Sequence, residues 1–279
     1  KLLRYTMVHD FVAGDYMWTG IDYLGEANWP QRSAGCRCLD TCGFEKDAFY
    51  FYKSVWNQKE KFAYLCPHWN LKLEKGTVLP VICYTNCEDA ELFVNGRSFG
   101  MKSKGFPCYG MTERYGHFDR YRRPANTDDL FLSWDVPYEP GKIEVVGYHD
   151  GKEVCRYNVE TTGEAASIKL TVDKTSVDAD GRSIVQAEVR IVDGEGRLVL
   201  DACPELDFTL EGDAEIIGID NGDPACHEQW KETKGRHAFN GMAYAVIRAG
   251  QNKGELTLTV QASGVDAAIG KASVTISQK

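Results

Sequence analysis

The stretch GDYMWTGIDYLGE, residues Gly14–Glu26, decides how the rest of this 279-residue chain is interpreted. From Tyr16 to Ile21 almost every residue is apolar or aromatic, and apolar and polar positions do not alternate. Strands have this composition when both of their faces are covered, as in a parallel barrel. Val12 to Gly25 is therefore predicted to form a buried strand and the loop after it.

Helical segments flank this strand. Residues 1–10 are expected to be the end of a helix that begins upstream, so Lys1 is interpreted as a boundary inside a longer protein; they do not have the pattern of a secretory signal peptide. Asp47 to Trp56 is aromatic-rich and predicted to be helical, with Asp47 as its N-cap. Helix, strand, loop and helix make one α/β unit, and one unit cannot close a barrel.

From about residue 76 onward, short strands and turns replace the α/β pattern. Two dipeptides with strong hairpin propensity, Asn95-Gly96 and Asp150-Gly151, lie next to predicted strands. Strands at hairpin spacing indicate an antiparallel sandwich. The strands predicted in this part are 81–84, 91–94, 130–136, 143–148 and 152–159.

A second sandwich is predicted after a short linker at residues 161–164. Its strands alternate between apolar and polar residues, which is typical of sheets with one buried and one solvated face. The pattern is immunoglobulin-like in architecture, although the sequence lacks the Cys…Trp…Cys signature of antibody domains. The apolar positions are Ile168, Leu170, Val172, Val185, Ala187, Val189, Ile191, Leu256, Leu258 and Val260.

These patterns predict a mostly β fold. It consists of two immunoglobulin-like β-sandwich domains preceded by the C-terminal strand and helix remnant of a (β/α)8 barrel. The predicted division is 1–65 for the partial barrel, 66–162 for the first sandwich and 163–279 for the terminal sandwich.

The composition excludes several classes of function. The formal net charge of -9 disfavours nucleic acid and anionic membranes as partners, and no apolar run reaches the roughly 18 residues that span a bilayer. The ten cysteines lack the C-x2-C pairs and the histidine partner of zinc sites. Buried free thiols are the favoured interpretation, and neither a metal nor a cofactor is expected.

The segment Gly14–Glu26 closely resembles the eighth barrel strand of glycoside hydrolase family 2 of the bacterial β-galactosidase type. LDTCGFEKD, residues 39–47, is similar to the run that precedes the last barrel helix of that family. Other runs resemble its two sandwich domains, in the family's order, so the resemblance covers nearly the whole chain. These runs are PHWN (67–70), YTN (84–86), ELFVNG (91–96), WDVPYEPG (134–141), GIDNGDP (218–224) and AFNG (238–241).

The resemblance implies a sugar site at the C-terminal end of the strand, where barrel enzymes build their active sites. Trp18 would cover the apolar face of a pyranose, and the carboxylates of Asp22 and Glu26 would accept hydrogen bonds from its hydroxyls. From the residues alone, a core tryptophan and loop hydrogen bonds or salt bridges are the alternatives. The catalytic carboxylates of the family belong to strands four and seven, upstream of Lys1, so no catalytic residue is assigned here and the chain alone is expected to be inactive.

Three other stretches leave two interpretations open. Residues 101–129 are rich in basic and aromatic residues; a solvated surface excursion is favoured over the lining of a sugar cleft or an interface. His68-Trp69 is expected at a domain junction, with a sugar cleft as the alternative. Turn chemistry explains a polar cluster more simply than calcium binding does; its members are Asp220, Asp223, His227 and Glu228.

The resemblance thus implies a retaining exo-glycosidase for terminal β-galactosides or related β-glycosides. In this interpretation the chain supplies part of the sugar site and two accessory domains. The expected partners are a carbohydrate substrate and the remainder of the catalytic barrel, with a homo-oligomer left open, and the expected location is periplasmic or secreted. The alternative is a non-catalytic carbohydrate-binding module or a structural spacer, because a β-sandwich does not by itself fix a function.

Overall fold

The computed structural model describes residues 2–35, 37–104, 130–231 and 234–279. They form two compact units: Lys1–Gly20 with Glu45–Thr161, and Ile21–Phe44 with Thr162–Lys279. Each unit is built around one β-sandwich, so the mostly β fold with two sandwiches is confirmed. The sequence assigns residues 21–44 to the partial barrel, whereas the structure joins them to the terminal sandwich. The predicted division into three domains stays a prediction.

The two predicted helical segments are both helical, as α1 (Leu2–Val8) and α2 (Asp47–Trp56). Asp47 is the first helical residue and not the N-cap, which is Lys46. The Asp47 carboxylate instead accepts a hydrogen bond from the Tyr64 hydroxyl at 2.7 Å, which ties the start of α2 to the first sandwich. Among the described residues, no helix has the length and apolarity needed to cross a bilayer.

The strand predicted from Val12 onward is not formed. Residues 11–20 contain no strand, and the next regular structure is a two-residue strand, β1 (Tyr23–Leu24), paired with β2 (Ser33–Ala34). A strand of a parallel sheet takes its backbone hydrogen bonds from the strands on both sides, and the described residues include no such neighbours for this segment. Nor does any residue from 15 to 26 pair with a strand of either sandwich.

The first sandwich consists of two antiparallel sheets whose turns agree with the sequence. Asn95 and Gly96 have φ angles of 49° and 80°, and Asp150 and Gly151 have 50° and 69°. A type I′ turn needs positive φ at both central residues, so both predicted hairpins are confirmed. The strands are β3 (Ala63–Cys66), β4 (Val78–Thr85), β5 (Asp89–Val94), β6 (Arg97–Ser103), β7 (Leu132–Pro137), β8 (Lys142–His149) and β9 (Lys152–Glu160), in the sheet orders β3-β4-β7 and β6-β5-β8-β9.

Trp69 lies in the core of the first sandwich. Its side chain is fully buried among apolar residues of both sheets, and its indole N–H donates to the Glu139 carbonyl at 2.9 Å. The ring of Tyr138 packs edge-on against it, with centroids 5.2 Å apart. Trp69 therefore forms neither a domain junction nor a sugar cleft, and the prediction is wrong for this residue. Its large apolar ring stabilises the sandwich because folding removes it from contact with water.

The terminal sandwich confirms the predicted alternation. In one central strand Val185, Ala187, Val189 and Ile191 are fully buried, while the polar residues between them face outward. Two sheets pack these apolar faces together, in the orders β10-β12-β16-β14 and β11-β18-β17-β13-β15. The strands are β10 (Ser167–Val172), β11 (Ser176–Val177), β12 (Ile184–Val192), β13 (Glu205–Glu211), β14 (Ala214–Asp220), β15 (Gly235–His237), β16 (Met242–Ala249), β17 (Gly254–Ala262) and β18 (Lys271–Gln278), with a 3-10 helix at Gly264–Ile269.

Free thiols are found at Cys42, Cys66, Cys83, Cys87, Cys155, Cys203 and Cys226, and of these Cys203 is exposed and departs from the buried thiols that the sequence favours. Burial raises the pKa of Cys66 and of Cys83 to about 12, so these two thiols stay protonated and inert near neutral pH.

The basic, aromatic-rich stretch is described only at its start. Residues 101–103 complete β6, and Lys104 is buried. Both interpretations of the stretch, surface excursion and cleft lining, concern residues 105–129, which lie outside the described residues.

Candidate functional site

The segment after the unformed strand, residues 21–44, folds back on itself, and we call it the anchored loop. Its two short strands β1 and β2 pair, and the Gly25 amide donates to the Arg32 carbonyl at 3.0 Å. The amide of Asp22 donates to the Leu39 carbonyl at 2.9 Å. Gly25 has a φ of 94°, a conformation that glycine adopts without steric cost.

One carboxylate of the terminal sandwich, that of Asp220 at the end of β14, binds the anchored loop. The Nη2 of Arg32 donates to both Asp220 oxygens, at 2.7 and 3.0 Å, and the Thr41 hydroxyl lies 3.5 Å from one of them. Arg236 of β15, whose side chain is fully buried, donates to the same carboxylate. Charge-assisted hydrogen bonds of this kind are stronger than neutral ones, so Asp220 is the main anchor.

Three contacts around Pro30 add to this anchor. The ring of Trp29 stacks on that of His227, with centroids 4.8 Å apart and an interplanar angle of 28°. The Nε2 of His227 lies 2.7 Å from the Pro30 carbonyl oxygen and therefore donates to it. The Arg32 amide also donates to the Pro224 carbonyl at 2.7 Å.

The end of the anchored loop touches the terminal sandwich at a glycine. One Asp40 oxygen accepts hydrogen bonds from the amides of Cys42 and Phe44, at 2.8 and 2.9 Å. The other lies against Gly222, where an added Cβ would be 2.0 Å from it, and Gly222 has a φ of 77°. A residue with a side chain does not fit there, so the Asn221-Gly222 dipeptide serves as a contact surface as well as a turn.

The interpretation of the polar cluster as turn chemistry is therefore incomplete. It holds for Asp223, whose side chain accepts the Ala225 amide at 2.8 Å. Asp220 and His227 instead bind residues of the anchored loop, almost 200 positions earlier in the chain. The Glu228 carboxylate accepts a hydrogen bond from the His237 ring. No local sequence pattern predicts partners this far apart. The sequence offered only the presence of a carboxylate and an arginine that are able to pair.

The structure places the three predicted sugar-site residues in two units. Asp22 and Glu26 belong to the anchored loop, and Trp18 belongs to the unit of the first sandwich. Asp22 is 5% exposed, and its carboxylate accepts the Arg37 amide at 3.1 Å. Glu26 is exposed and accepts a hydrogen bond from the Tyr23 hydroxyl. Asp22 thus supports the loop from within, and sugar contacts by all three residues stay predictions.

The segment around Trp18 exposes large apolar side chains. Phe11, Tyr16 and Trp18 are 74%, 97% and 73% exposed. Large exposed apolar side chains are available for contacts with groups outside the described residues, so this segment is a candidate interaction surface.

A shallow cavity lies on the terminal sandwich beside Asp220. Its volume is about 280 Å³, and Thr41, Trp230 and Tyr244 are among its lining residues. Burial raises the pKa of Cys42, which also lines it, so this thiol is not a nucleophile near neutral pH. The ring of Phe44 packs edge-on against Tyr244 at 5.9 Å, which fixes the wall that the anchored loop contributes.

One group among the described residues could hold a metal ion. Glu88, His149 and Asp150 bring one possible ligand atom each within 4.8 Å of one another. Carboxylate and imidazole ligands suit zinc and related ions. Glu88 already accepts a hydrogen bond from the Asp150 amide at 2.9 Å and lies 3.2 Å from the Nδ1 of His149, so contacts around the hairpin turn explain the group without a metal ion.

Both sandwiches match known domain families. Residues 168–270 match the family "Glycoside hydrolase family 2 C-terminal domain 5", and residues 76–155 match a domain family of unknown function. A β-galactosidase of Bacteroides ovatus, BoGH2A, is 35% identical over 97% of this chain, and a β-glucuronidase of Formosa agariphila is 28% identical over 72% of it. The chain spans 29% and 20% of the lengths of these two relatives.

A solved structure shows the same fold. A glycosyl hydrolase family 2 member from Bacteroides cellulosilyticus aligns with a TM-score of 0.83 and 27% identity, covering 97% of this chain and 36% of that one. The sequence comparison and the structure comparison therefore indicate the same family along nearly the whole described chain. The chain belongs to glycoside hydrolase family 2, as a C-terminal part of its β-galactosidase and β-glucuronidase type of protein.

Proposed function

We propose that this chain is part of a retaining exo-glycosidase that hydrolyses terminal β-galactosides or related β-glycosides. The observation that carries the proposal is the similarity, along nearly the whole chain, to a protein named as a β-galactosidase. The similarity to a β-glucuronidase is the reason to include β-glucuronides among the substrates to be tested.

In this proposal, Trp18 forms one wall of the sugar site. Its indole is exposed in a segment that forms no strand with the described residues. A flat apolar ring suits the C–H face of a pyranose, and a few polar groups beside it then fix the orientation of the sugar. From the family resemblance, Glu26, exposed in the anchored loop, is assigned to the hydroxyl groups of the sugar.

The terminal sandwich then has a task beyond support. It holds the anchored loop, and with it Asp22 and Glu26, through Asp220, His227 and Gly222. Groups that bind a transition state must be held closely in place, because small displacements cost large factors in rate. We therefore assign the terminal sandwich the positioning of this loop.

The test uses the longer protein that contains these residues. It should hydrolyse a nitrophenyl β-galactoside or β-glucuronide, and proton NMR should show the β-anomer as the first product, as retention requires. Trp18→Ala should remove about 1–3 kcal/mol of transition-state binding, which lowers kcat/KM roughly 5- to 150-fold.

Trp56→Ala is the matched control, because this tryptophan is also exposed, at 59%, but lies on α2. Its kinetics should equal those of the wild type. If folded Trp18→Ala protein were as active as the control, Trp18 would not belong to the sugar site. No hydrolysis of either substrate class would remove the proposed activity.

Assays of the 279-residue chain by itself distinguish the proposed enzyme part from the non-catalytic alternative. We expect it to hydrolyse neither substrate, because none of its residues matches the catalytic carboxylates of the family. Calorimetric titration with galactosides completes the test: saturable binding that persists in Trp18→Ala would favour a carbohydrate-binding module that does not use the proposed site.

A further inference from the structure

Two cysteine sulfurs meet in the first sandwich. Cys87 lies in the turn between β4 and β5 and is 1% exposed, and Cys155 lies on β9, the edge strand of the sheet β6-β5-β8-β9. The two Sγ atoms are 3.5 Å apart although the residues are 68 positions apart in the chain. The sugar-site proposal does not involve this pair of cysteines.

A glycine of the strand between them leaves the room in which the sulfurs meet. Gly147 of β8 pairs with Cys155, and the β8–β9 register shifts between Gly147 and Tyr148. A Cβ on Gly147 would lie 2.6 Å from the Cys155 sulfur and 2.7 Å from the Cys87 sulfur. Any other residue would therefore force the sulfurs out of their positions.

The two thiols differ in acidity. A hydrogen bond with Cys155 lowers the pKa of Cys87 to about 6 against the effect of its burial, and Thr85, Lys61 and His149 add smaller effects in the same direction. The same hydrogen bond raises the pKa of Cys155. The Cys87 thiol is therefore the more acidic of the two. Other titratable groups nearby are Cys83, Lys104 and Glu88.

We propose that Cys87 and Cys155 are an oxidation site, at which a peroxide converts the two thiols into a reversible disulfide. The Cys87 thiolate attacks one peroxide oxygen, the O–O bond breaks, and a sulfenic acid forms while hydroxide leaves. The Cys155 sulfur then attacks the Cys87 sulfur, the S–O bond breaks, and the leaving hydroxide takes the Cys155 proton as water. The hydroxide released in the first step takes up the proton that Cys87 lost on becoming a thiolate, so two thiols and one hydrogen peroxide give one disulfide and two waters.

The surroundings permit the movement that this bond needs. The sulfurs must approach from 3.5 Å to about 2.05 Å. One cysteine lies in a turn and the other on an edge strand, so each can shift without breaking a central sheet ladder. The disulfide would tie β9 to the β4–β5 turn and close a long loop, and closing long loops restricts the unfolded chain most.

The test uses the wild-type 279-residue chain. Reduced protein is treated with hydrogen peroxide at pH 7, free thiols are blocked with N-ethylmaleimide, and non-reducing peptide mass mapping follows. We expect a peptide pair that joins Cys87 to Cys155, two hydrogens lighter than the reduced pair and released by dithiothreitol. The melting temperature of the oxidised protein should rise by about 5 °C or more.

Variants separate this pairing from general oxidation. Cys155→Ala should abolish the linked peptides and slow the oxidation of Cys87 at pH 7, because the hydrogen bond that lowers its pKa is gone. Cys203→Ala, which removes an exposed thiol, should leave the linked peptides unchanged. A wild-type map in which Cys87 is overoxidised while Cys155 is alkylated, or in which Cys87 is bonded to another cysteine, would overturn the proposal whatever the variants do.

Discussion

Replacing Asp220 by Asn tests how the terminal sandwich holds the anchored loop. The substitution keeps the shape of the side chain but removes the charge that Arg32 and Arg236 share. Arg236 then stays fully buried, and its remaining partners include the Glu228 carbonyl oxygen at 2.7 Å and, more weakly, the Glu228 carboxylate at 3.6 Å. Removing one partner of a buried ion pair costs about 3–5 kcal/mol. Because the Asp220 side chain is 25% exposed, water offsets part of this, and we expect a loss of about 3 kcal/mol.

The same strand provides the matched control. Glu215 of β14 pairs with Arg248 at 2.6 Å, but the two side chains are 63% and 49% exposed. Exposed pairs contribute less than about 1 kcal/mol, so Glu215→Gln should be nearly neutral. A loss of 3 kcal/mol in Asp220→Asn corresponds to a decrease in the melting temperature of the terminal unit of about 6–12 °C.

Calorimetry and limited proteolysis measure the two effects separately. Calorimetry gives the melting temperatures of both variants. Trypsin reports the loop itself, because Arg32 and Arg37 should be cleaved faster when the loop detaches more often. If Asp220→Asn and Glu215→Gln had equal melting temperatures and equal cleavage rates, Asp220 would not be the main anchor.

Three further substitutions test other parts of the fold. Trp69→Ala should lower the free energy of unfolding of the first sandwich by about 3–5 kcal/mol in urea titrations, because a fully buried ring is lost; a loss under about 1 kcal/mol would contradict its place in the core. Gly222→Ala should speed tryptic cleavage of the anchored loop, because the added Cβ would clash with Asp40. The control is Gly196→Ala, at a similar φ of 81° with nothing within 4 Å, which should cost only about 1–2 kcal/mol of backbone strain and leave cleavage unchanged. Equal cleavage rates in the two variants would refute the contact between Gly222 and Asp40. Burial raises the pKa of Asp193, but hydrogen bonds from the Arg197 side chain and from three amides outweigh this and hold the pKa below its usual value. A carboxyl with a lowered folded pKa stabilises above its unfolded pKa, near 4, and this stability is lost as the pH falls further. Asp193→Asn should therefore be destabilised at pH 7 and lose less stability than the wild type between about pH 4 and pH 2, and parallel pH profiles of the two proteins in urea titrations would show that the carboxylate is not responsible.

Much of both sandwiches could be predicted because their patterns are local. The alternation from Val185 to Ile191 reports which face of β12 is buried, and Asn95-Gly96 reports a backbone conformation that few other residues adopt. The resemblance to glycoside hydrolase family 2 rests on such short runs, and the comparisons confirm it. Trp69 shows the limit: an aromatic residue after His68 has the same local pattern in a core and at a cleft.

The sequence by itself determined the family, the two sandwiches and the turns that connect their strands, because each follows from neighbouring residues. Only the tertiary structure decided that residues 21–44 belong with the terminal sandwich, since Arg32 and Asp220 are 188 positions apart. It also decided that Cys87 meets Cys155, and that Val12 to Gly20 forms no strand. A local sequence pattern indicates whether a side chain will be buried and how the backbone turns. Which distant residue it contacts depends on where the folded chain places the two residues.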